Sequence, residues 1–337
     1  MNKRITLADL AEKTGLNVST VSRALSRPNR VSTETRQLVQ KVATELGYAV
    51  NIVARNLSRG TSDTILVLAP SFSGQAISPV FTQILLGVCE EATSLGLRVM
   101  LQQCLDQTLS ANDVIQSLRA GVADSALIVA AQNWMPSLDR EPDEESLPVV
   151  SIMKDLTAEG LTSVTTQEAD GFVAIVDHLL RRGHKRFAYI AGPKEIKHEE
   201  IRYRAVCDRL TAHGYTDNLV RLEGGQFDMP SGVRAAERFL ELPERPSAVI
   251  CCSDALALGF LHVVQGRGLR VPDDVAVTGY DGMDYTGFTT PALTTVAQPT
   301  VEIGRVAVQA LADLKCGRIT RPRLVSLSPT FIPRQSS

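Results

Sequence analysis

The sequence predicts an all-α helix-turn-helix headpiece followed by an α/β body of doubly wound parallel sheets in two lobes. Three observations predict it. Apolar residues at helical spacing crowd the first fifty positions, short β-branched runs alternate with helical stretches after residue 62, and charge divides unevenly between the two parts. At 337 residues the chain is also too long for one ordinary core.

In the headpiece, Leu7, Leu10 and Ala11 stand at i, i+3, i+4, the spacing of one helix face. Gly15 is a C-terminal stop and Asn17 a candidate N-cap for the next helix, so only a tight turn separates the two. On the second helix Val21 and Leu25 face inward, while Val18, Ser19, Ser22 and Arg23 share the opposite face, free to enter a major groove. A third helix starts at Ser32 as N-cap, buries Leu38, Val39, Val42 and Leu46, and ends at Gly47. The first sixty residues carry ten Lys/Arg against four Asp/Glu, and the remainder carries 25 against 33. A basic module on an acidic body is what attraction to phosphates requires, and it places double-stranded DNA at the amino-terminal end.

In the body, strand-like runs recur at TILVLA (64–69), LRVMLQ (97–102), SALIVAA (125–131), PVVSI (148–152), RFAYIAG (186–192), SAVICCS (247–253) and DVAVTGY (274–280). Helical stretches lie between them at 80–95, 110–120, 169–183, 199–213, 231–241 and 254–267. Strands apolar on both faces, alternating with helices, imply parallel sheets with right-handed crossovers, and there are too many for one small sheet. Ligands in such sheets bind at the carboxyl ends of the strands, which here means the cleft between the lobes. Asp281 closes one run, Ser253 and Asp254 close another, Arg202 lies in the helix after the IAGPKE loop, and Phe227 sits in GGQFDMPSG. An acid, a guanidinium and an aromatic ring suit a hydroxylated ligand. Structural roles remain open for each: Asp254 as the N-cap of ALALGFLHVV, Ser253 as a mere strand end, Arg202 as a surface ion pair with Glu199 or Glu200.

Other chemistries lack their residues. The six cysteines show no CxxC or Cys/His spacing and the five histidines no ligand spacing, so no metal and no cofactor is expected. GxSxG and GxxxxGK[ST] are missing, and the pair Gly266 and Gly268 lacks a third glycine, so the chain is not expected to be an enzyme. No run approaches the ~18 apolar residues of a membrane span, and the polar start MNKRITLADL does not read as a signal peptide. A cytoplasmic location with no membrane partner is therefore expected. The alternative, a transport-type sugar-binding protein without DNA function, conflicts with the basic first sixty residues.

Six segments carry a family likeness over essentially the full length: LADLAEKTGLNVSTVSRAL, RVSTETRQLVQKVATELGY, HLLRRGHKRFAYIAGP, CSDALALGF, GLRVPDDVAVTGYD and TPALTTVAQP. On these the chain resembles the lactose-repressor (LacI/GalR) family of bacterial transcription regulators. The resemblance implies a helix-turn-helix domain over 1–49, a hinge over 50–61 and an effector-binding and dimerisation domain over 62–337. The latter would be a body like periplasmic binding proteins, with one lobe at about 62–166 and 297–324 and the other at about 167–296 and 325–333. It implies that Val18, Ser19 and Arg23 read bases, that Thr20 and Ser22 contact phosphates, and that Asn51 caps a hinge helix whose Ala54 and Leu57 approach the minor groove. It aligns the family's effector residues with Phe72, Arg202, Phe227, Ser253, Asp281 and Gln298. Departures from the pattern are Val50 in place of a proline, Ser253 in place of an asparagine, Thr166-Gln167 in place of Asp-Asn, and a longer loop over 71–81. The chain stops at FIPRQSS without a leucine heptad, so the resemblance implies a homodimer on operator DNA, controlled by a sugar, sugar derivative or nucleoside.

Overall fold

The computed structural model describes residues 5–26, 30–48, 60–69, 78–103, 111–130, 148–194 and 196–337. Residues 1–63 with 119–124 form one compact unit and the rest another.

In the first unit, α1 (Leu7–Thr14) starts at a capping box not anticipated from sequence: the Asp9 amide donates to Thr6 Oγ1 and the Thr6 amide to Asp9 Oδ2. It stops at Gly15, whose φ of 69° a side chain would disfavour. The Thr20 and Val21 amides donate to the Asn17 carbonyl, so Asn17 sits at the cap position of α2 (Val18–Ser26). Ser32 caps α3 (Thr33–Glu45) through the Thr35 amide. Leu10, Val21, Ala24, Val39, Val42 and Ala43 make the core, with Leu25 and Leu46 packed against it. Leu38, expected to be buried, is 44% exposed: next to Val39, it falls on the outer side of a helix whose buried residues are Val39, Val42 and Ala43.

The second unit holds two parallel sheets. In the first, β1 (Thr64–Ala69), β2 (Arg98–Gln103), β3 (Ser125–Val129), β4 (Val149–Ile152), β5 (Thr162–Thr166) and β11 (Leu324–Leu327) run in the order β11-β5-β4-β3-β1-β2. Helices α4 (Pro79–Ser94), α5 (Ala111–Arg119) and α10 (Thr300–Lys315) belong to this lobe. In the second, β6 (Phe187–Ala191), β7 (Leu219–Glu223), β8 (Ala248–Cys251) and β9 (Ala276–Thr278) run β7-β6-β8-β9, with helices α6 (Glu168–Arg181), α7 (Lys197–Ala212), α8 (Met229–Leu240) and α9 (Asp254–Gly266). Strand order reverses beside β1 and beside β6, the switch points where doubly wound sheets bind ligands. Each lobe has its own apolar core.

Three segments pass between the lobes: β5 into α6, β10 (Thr295–Ala297) into α10, and β11 into β12 (Thr330–Ile332), which pairs antiparallel with β10. The expected lobe boundary needs correction here. Residues 325–327 were assigned to the second lobe, but β11 pairs in parallel with β5, so they complete the first sheet and the third passage falls at 328–329. Gln167 joins the first passage to the third: its amide donates to the Leu327 carbonyl and its side-chain oxygen accepts from Ser328 Oγ.

In the first lobe α4 and α10 meet backbone to backbone. A Cβ at Gly87 would overlap the Val301 carbonyl oxygen, and one at Gly304 the Ile84 carbonyl oxygen. Gly304→Ala should therefore cost about 2–3 kcal/mol or more, read as a lowered urea midpoint with unchanged slope. An unchanged midpoint would mean that the helices are not in this contact.

Candidate functional site

Two sets of residues carry the expected chemistry. On α2, Val18, Ser19 and Arg23 are exposed, and Thr20 and Ser22 are partly so, while Val21 and Ala24 on the other side are buried. Val18, at 47% exposure, is a large apolar residue presented to solvent. Arg23 Nη2 donates to Ser19 Oγ at 3.4 Å, one helical turn away, so two expected base readers are neighbours. Asn51, Ala54 and Leu57 of the expected hinge, and Phe72 of the first loop, lie outside the described residues.

The second set gathers at the carboxyl ends of β6, β8 and β9. Arg202, on α7, is buried, and its partner is neither Glu199 nor Glu200 but Glu168, the first residue of α6. Arg202 Nη2 and Nε donate to Glu168 Oε1 at 2.6 and 3.2 Å, and Nη1 donates to the Cys252 carbonyl at 2.7 Å. The other Glu168 oxygen lies 2.8 Å from His198 Nδ1. Burial pushes the Glu168 carboxyl up, but the neighbouring Arg202 and His198 outweigh it and hold it down to about 2. The Arg202 guanidinium lies 4.5 Å from the Tyr280 ring centre and 5.6 Å from that of Phe227. Glu199 and Glu200 have other work. Glu199 accepts from the Gly192 amide, Tyr189 and Arg221, bracing the loop after β6, and Glu200 pairs with Arg204 on the surface.

Asp281 follows β9 with φ 128°, a region L-residues seldom adopt. It is held there by two backbone bonds, its amide to the Val296 carbonyl and the Gln298 amide to its own carbonyl. Gln298 Nε2 donates to Asp281 Oδ1 at 2.8 Å, a side-chain bond added to the backbone bonds between the second passage and the end of β9. Desolvation pushes the Asp281 carboxyl up to about 7, against the pull of Arg202. A strained backbone carrying a shifted carboxyl is typical of a working site.

The cap expected of Asp254 falls to Ser253. Ser253, not Asp254, caps α9, accepting from the Leu256 amide at 3.3 Å. Asp254 accepts from Thr295 Oγ1 and the Met283 amide, tying β10 and the turn after β9 to the helix. Burial pushes its carboxyl up to about 6 against these bonds.

Three buried polar atoms have no hydrogen-bond partner among the described residues of this region: Tyr280 Oη, Gln298 Oε1 and Thr166 Oγ1. Orphaned groups of this kind normally await a ligand or water. Gln298 was legible from the family resemblance alone, and Phe227 also from its place in GGQFDMPSG. Glu168, His198 and Tyr280 were missed, because no sequence spacing links a carboxylate to an arginine 34 positions away. Among the described residues no group of three His, Cys, Asp or Glu could hold a metal ion, and no helix is long and apolar enough to cross a membrane.

Comparison with known proteins finds matches to both parts of the chain. A family model described as bacterial regulatory proteins, lacI family, matches residues 6–51, and one for a periplasmic binding protein-like domain matches residues 176–337. The HTH-type transcriptional repressor CytR of Escherichia coli is 33% identical over 316 residues, covering 93% of this chain and 90% of its own. The repressor PurR of Photobacterium profundum is 27% identical, covering 98% of each. The Lac repressor dimer, solved bound to operator and an anti-inducer, superposes with TM-score 0.85 at 25% identity over 99% of both chains. A complex of the regulator CelR with cellobiose superposes with TM-score 0.69 at 27% identity, over 99% of this chain and all of its own.

The raised Asp281 carboxyl has a measurable consequence. Unfolded, the group ionises near 3.8; folded, it keeps its proton up to about 7. The folded chain therefore binds the extra proton in that window, and Asp281 lowers stability as pH rises through it. Asp281→Asn should gain on the wild type by on the order of 1–3 kcal/mol between about pH 4 and pH 8, measured by urea unfolding at each pH. Parallel stability curves for the two proteins would count against the shift.

Proposed function

This chain belongs to the lacI family of bacterial regulatory proteins and is a DNA-binding transcriptional repressor, and on that premise we propose that it acts as a homodimer on a pseudo-palindromic operator under control of a small effector. The observation that carries the reading is the face of α2. Val18, Ser19 and Arg23 are presented to solvent by a helix whose opposite side is packed into a complete core, on the basic part of the chain. Arg23 is the base reader of this set, since only a guanidinium can make a bidentate contact to guanine, with ~1–3 kcal/mol of discrimination. Val18 and Ser19 tune the preference, Thr20 and Ser22 hold phosphates, and the hinge residues Asn51, Ala54 and Leu57 are assigned to the minor groove.

The effector is a sugar, sugar derivative or nucleoside held by Arg202, Phe227, Ser253, Asp281 and Gln298, together with Phe72 from the first loop. Support comes from the orphaned hydroxyl and amide oxygens beside Arg202 and from the likeness to regulators solved with sugar ligands. Ser253 takes part with its hydroxyl hydrogen, since its oxygen already caps α9. A second copy fits against the first lobe, where the edge strand β2 and α4 leave Leu101 and Leu86 about half exposed. Ligand then acts by changing the angle between lobes, which spreads or gathers the two hinge segments and so sets operator affinity.

Arg23→Ala is expected to lose at least tenfold in affinity for operator while binding random duplex nearly as before, in a mobility-shift assay against competitor DNA. Equal losses on both would remove Arg23 as a reader, and no preference of the wild type for any promoter fragment would remove the operator. For the cleft, Arg202→Ala is a poor probe because it strands the buried Glu168 charge. Tyr280→Phe deletes only an orphaned oxygen. It should keep operator affinity and weaken the effector found in a carbohydrate and nucleoside screen by roughly tenfold. An unchanged response would take Tyr280 out of the ligand site.

A further inference from the structure

Among the described residues Arg202 is the one buried guanidinium at the carboxyl end of the second sheet, and its charge is already matched. Glu168 Oε1 accepts from Nε and Nη2, and the Cys252 carbonyl accepts from Nη1. Glu168 is itself buried and ionised, its carboxyl held far below the usual range. Asp281 brings a second carboxyl within electrostatic reach of the same guanidinium. An arginine in this setting still offers N–H donors to a ligand but no net positive charge. An anion entering here would be desolvated beside one permanent carboxylate and another that ionises near neutrality.

The unsatisfied atoms point the other way. Tyr280 Oη belongs to the ring beneath Arg202, Gln298 Oε1 to the amide bonded to Asp281, and Thr166 Oγ1 lies two residues before Glu168. Two are hydroxyls able to donate or accept, and the third accepts only. Hydroxyl and amine groups complete all three, whereas ionised phosphate or carboxylate oxygens can accept from the two hydroxyls but leave Gln298 Oε1 unmet.

We propose that Glu168 sets the charge selectivity of the cleft: by matching Arg202 in advance, it admits uncharged, hydroxyl- or amine-rich effectors and refuses phosphorylated or carboxylated ones. The inference rests on the reading of this cleft as the effector site. It assigns to Glu168 the role of a specificity residue acting through the guanidinium.

The test uses the full chain and inorganic phosphate. Thermal unfolding is followed in about 10 mM phosphate and in chloride at equal ionic strength. Phosphate effects on the headpiece are common to all variants and cancel in the comparison. Glu168→Gln should gain a phosphate-dependent rise in Tm of about 2 °C or more over the wild type, and the double variant Glu168→Gln/Arg202→Met should lose it. No gain in Glu168→Gln, or a gain that survives in the double variant, overturns the proposal. A measurement without variants covers poor folding of these proteins. Phosphate is titrated calorimetrically into wild type saturated with random duplex, so that the headpieces are occupied. Silence supports charge selection, and saturable heat at one site per protomer overturns it. Either adverse result leaves the cleft itself standing, because that reading is tested separately, by whether an effector from the carbohydrate and nucleoside screen binds there at all.

Discussion

The ion pair between Glu168 and Arg202 is the contact around which the working end of the body is arranged. Neither charge could be buried alone, and removing one partner of such a pair costs about 3–5 kcal/mol because the other is left uncompensated. Glu168 opens α6, where the helix dipole favours an anion, and Arg202 reaches from α7 to the carbonyl at the end of β8. One salt bridge thus fixes two helices and a strand terminus relative to each other. Tyr280 closes the assembly: it faces Arg202 on one side and stacks on Phe172 of α6, ring centres 4.7 Å apart.

The headpiece obeys a different logic. Its stability is local, supplied by caps at Thr6 and Ser32, a glycine stop and a small core, and its polar face takes no part in that core. Residues such as Val18, Ser19 and Arg23 are therefore free of duty in the core, and the proposed reading face can vary without disturbing the fold. In the body the reverse holds. Arg202 and Glu168 hold the fold together at the proposed ligand site, so changes of ligand preference there would be constrained by stability.

This difference decides what could be read from the chain. The three headpiece helices were legible because caps, stops and apolar spacing are all short-range signals, and the one error, Leu38, came from extending an apolar face by one residue. The strands that read as unbroken apolar runs, such as TILVLA and SAVICCS, were equally plain. β5 (TSVTT) was passed over as a run because its hydroxyls hide a buried strand, and β7 (LVRLE) because its charges suit an edge position. β11 was assigned to the wrong lobe since its pairing with β5 spans some 160 residues, which no local pattern records. The site followed the same rule. Arg202 and Asp281 stood out at strand and loop ends, while Glu168 did not, because its importance lies wholly in a partner far along the chain.

Gln167 gives the body a mechanical character of its own. By bonding to both Leu327 and Ser328 it laces the first connecting segment to the third, and the pairing of β10 with β12, Ala297 opposite Thr330, ties in the second. All three crossings are thus stitched to one another side by side, and any displacement of one half against the other has to be absorbed within this one laced band.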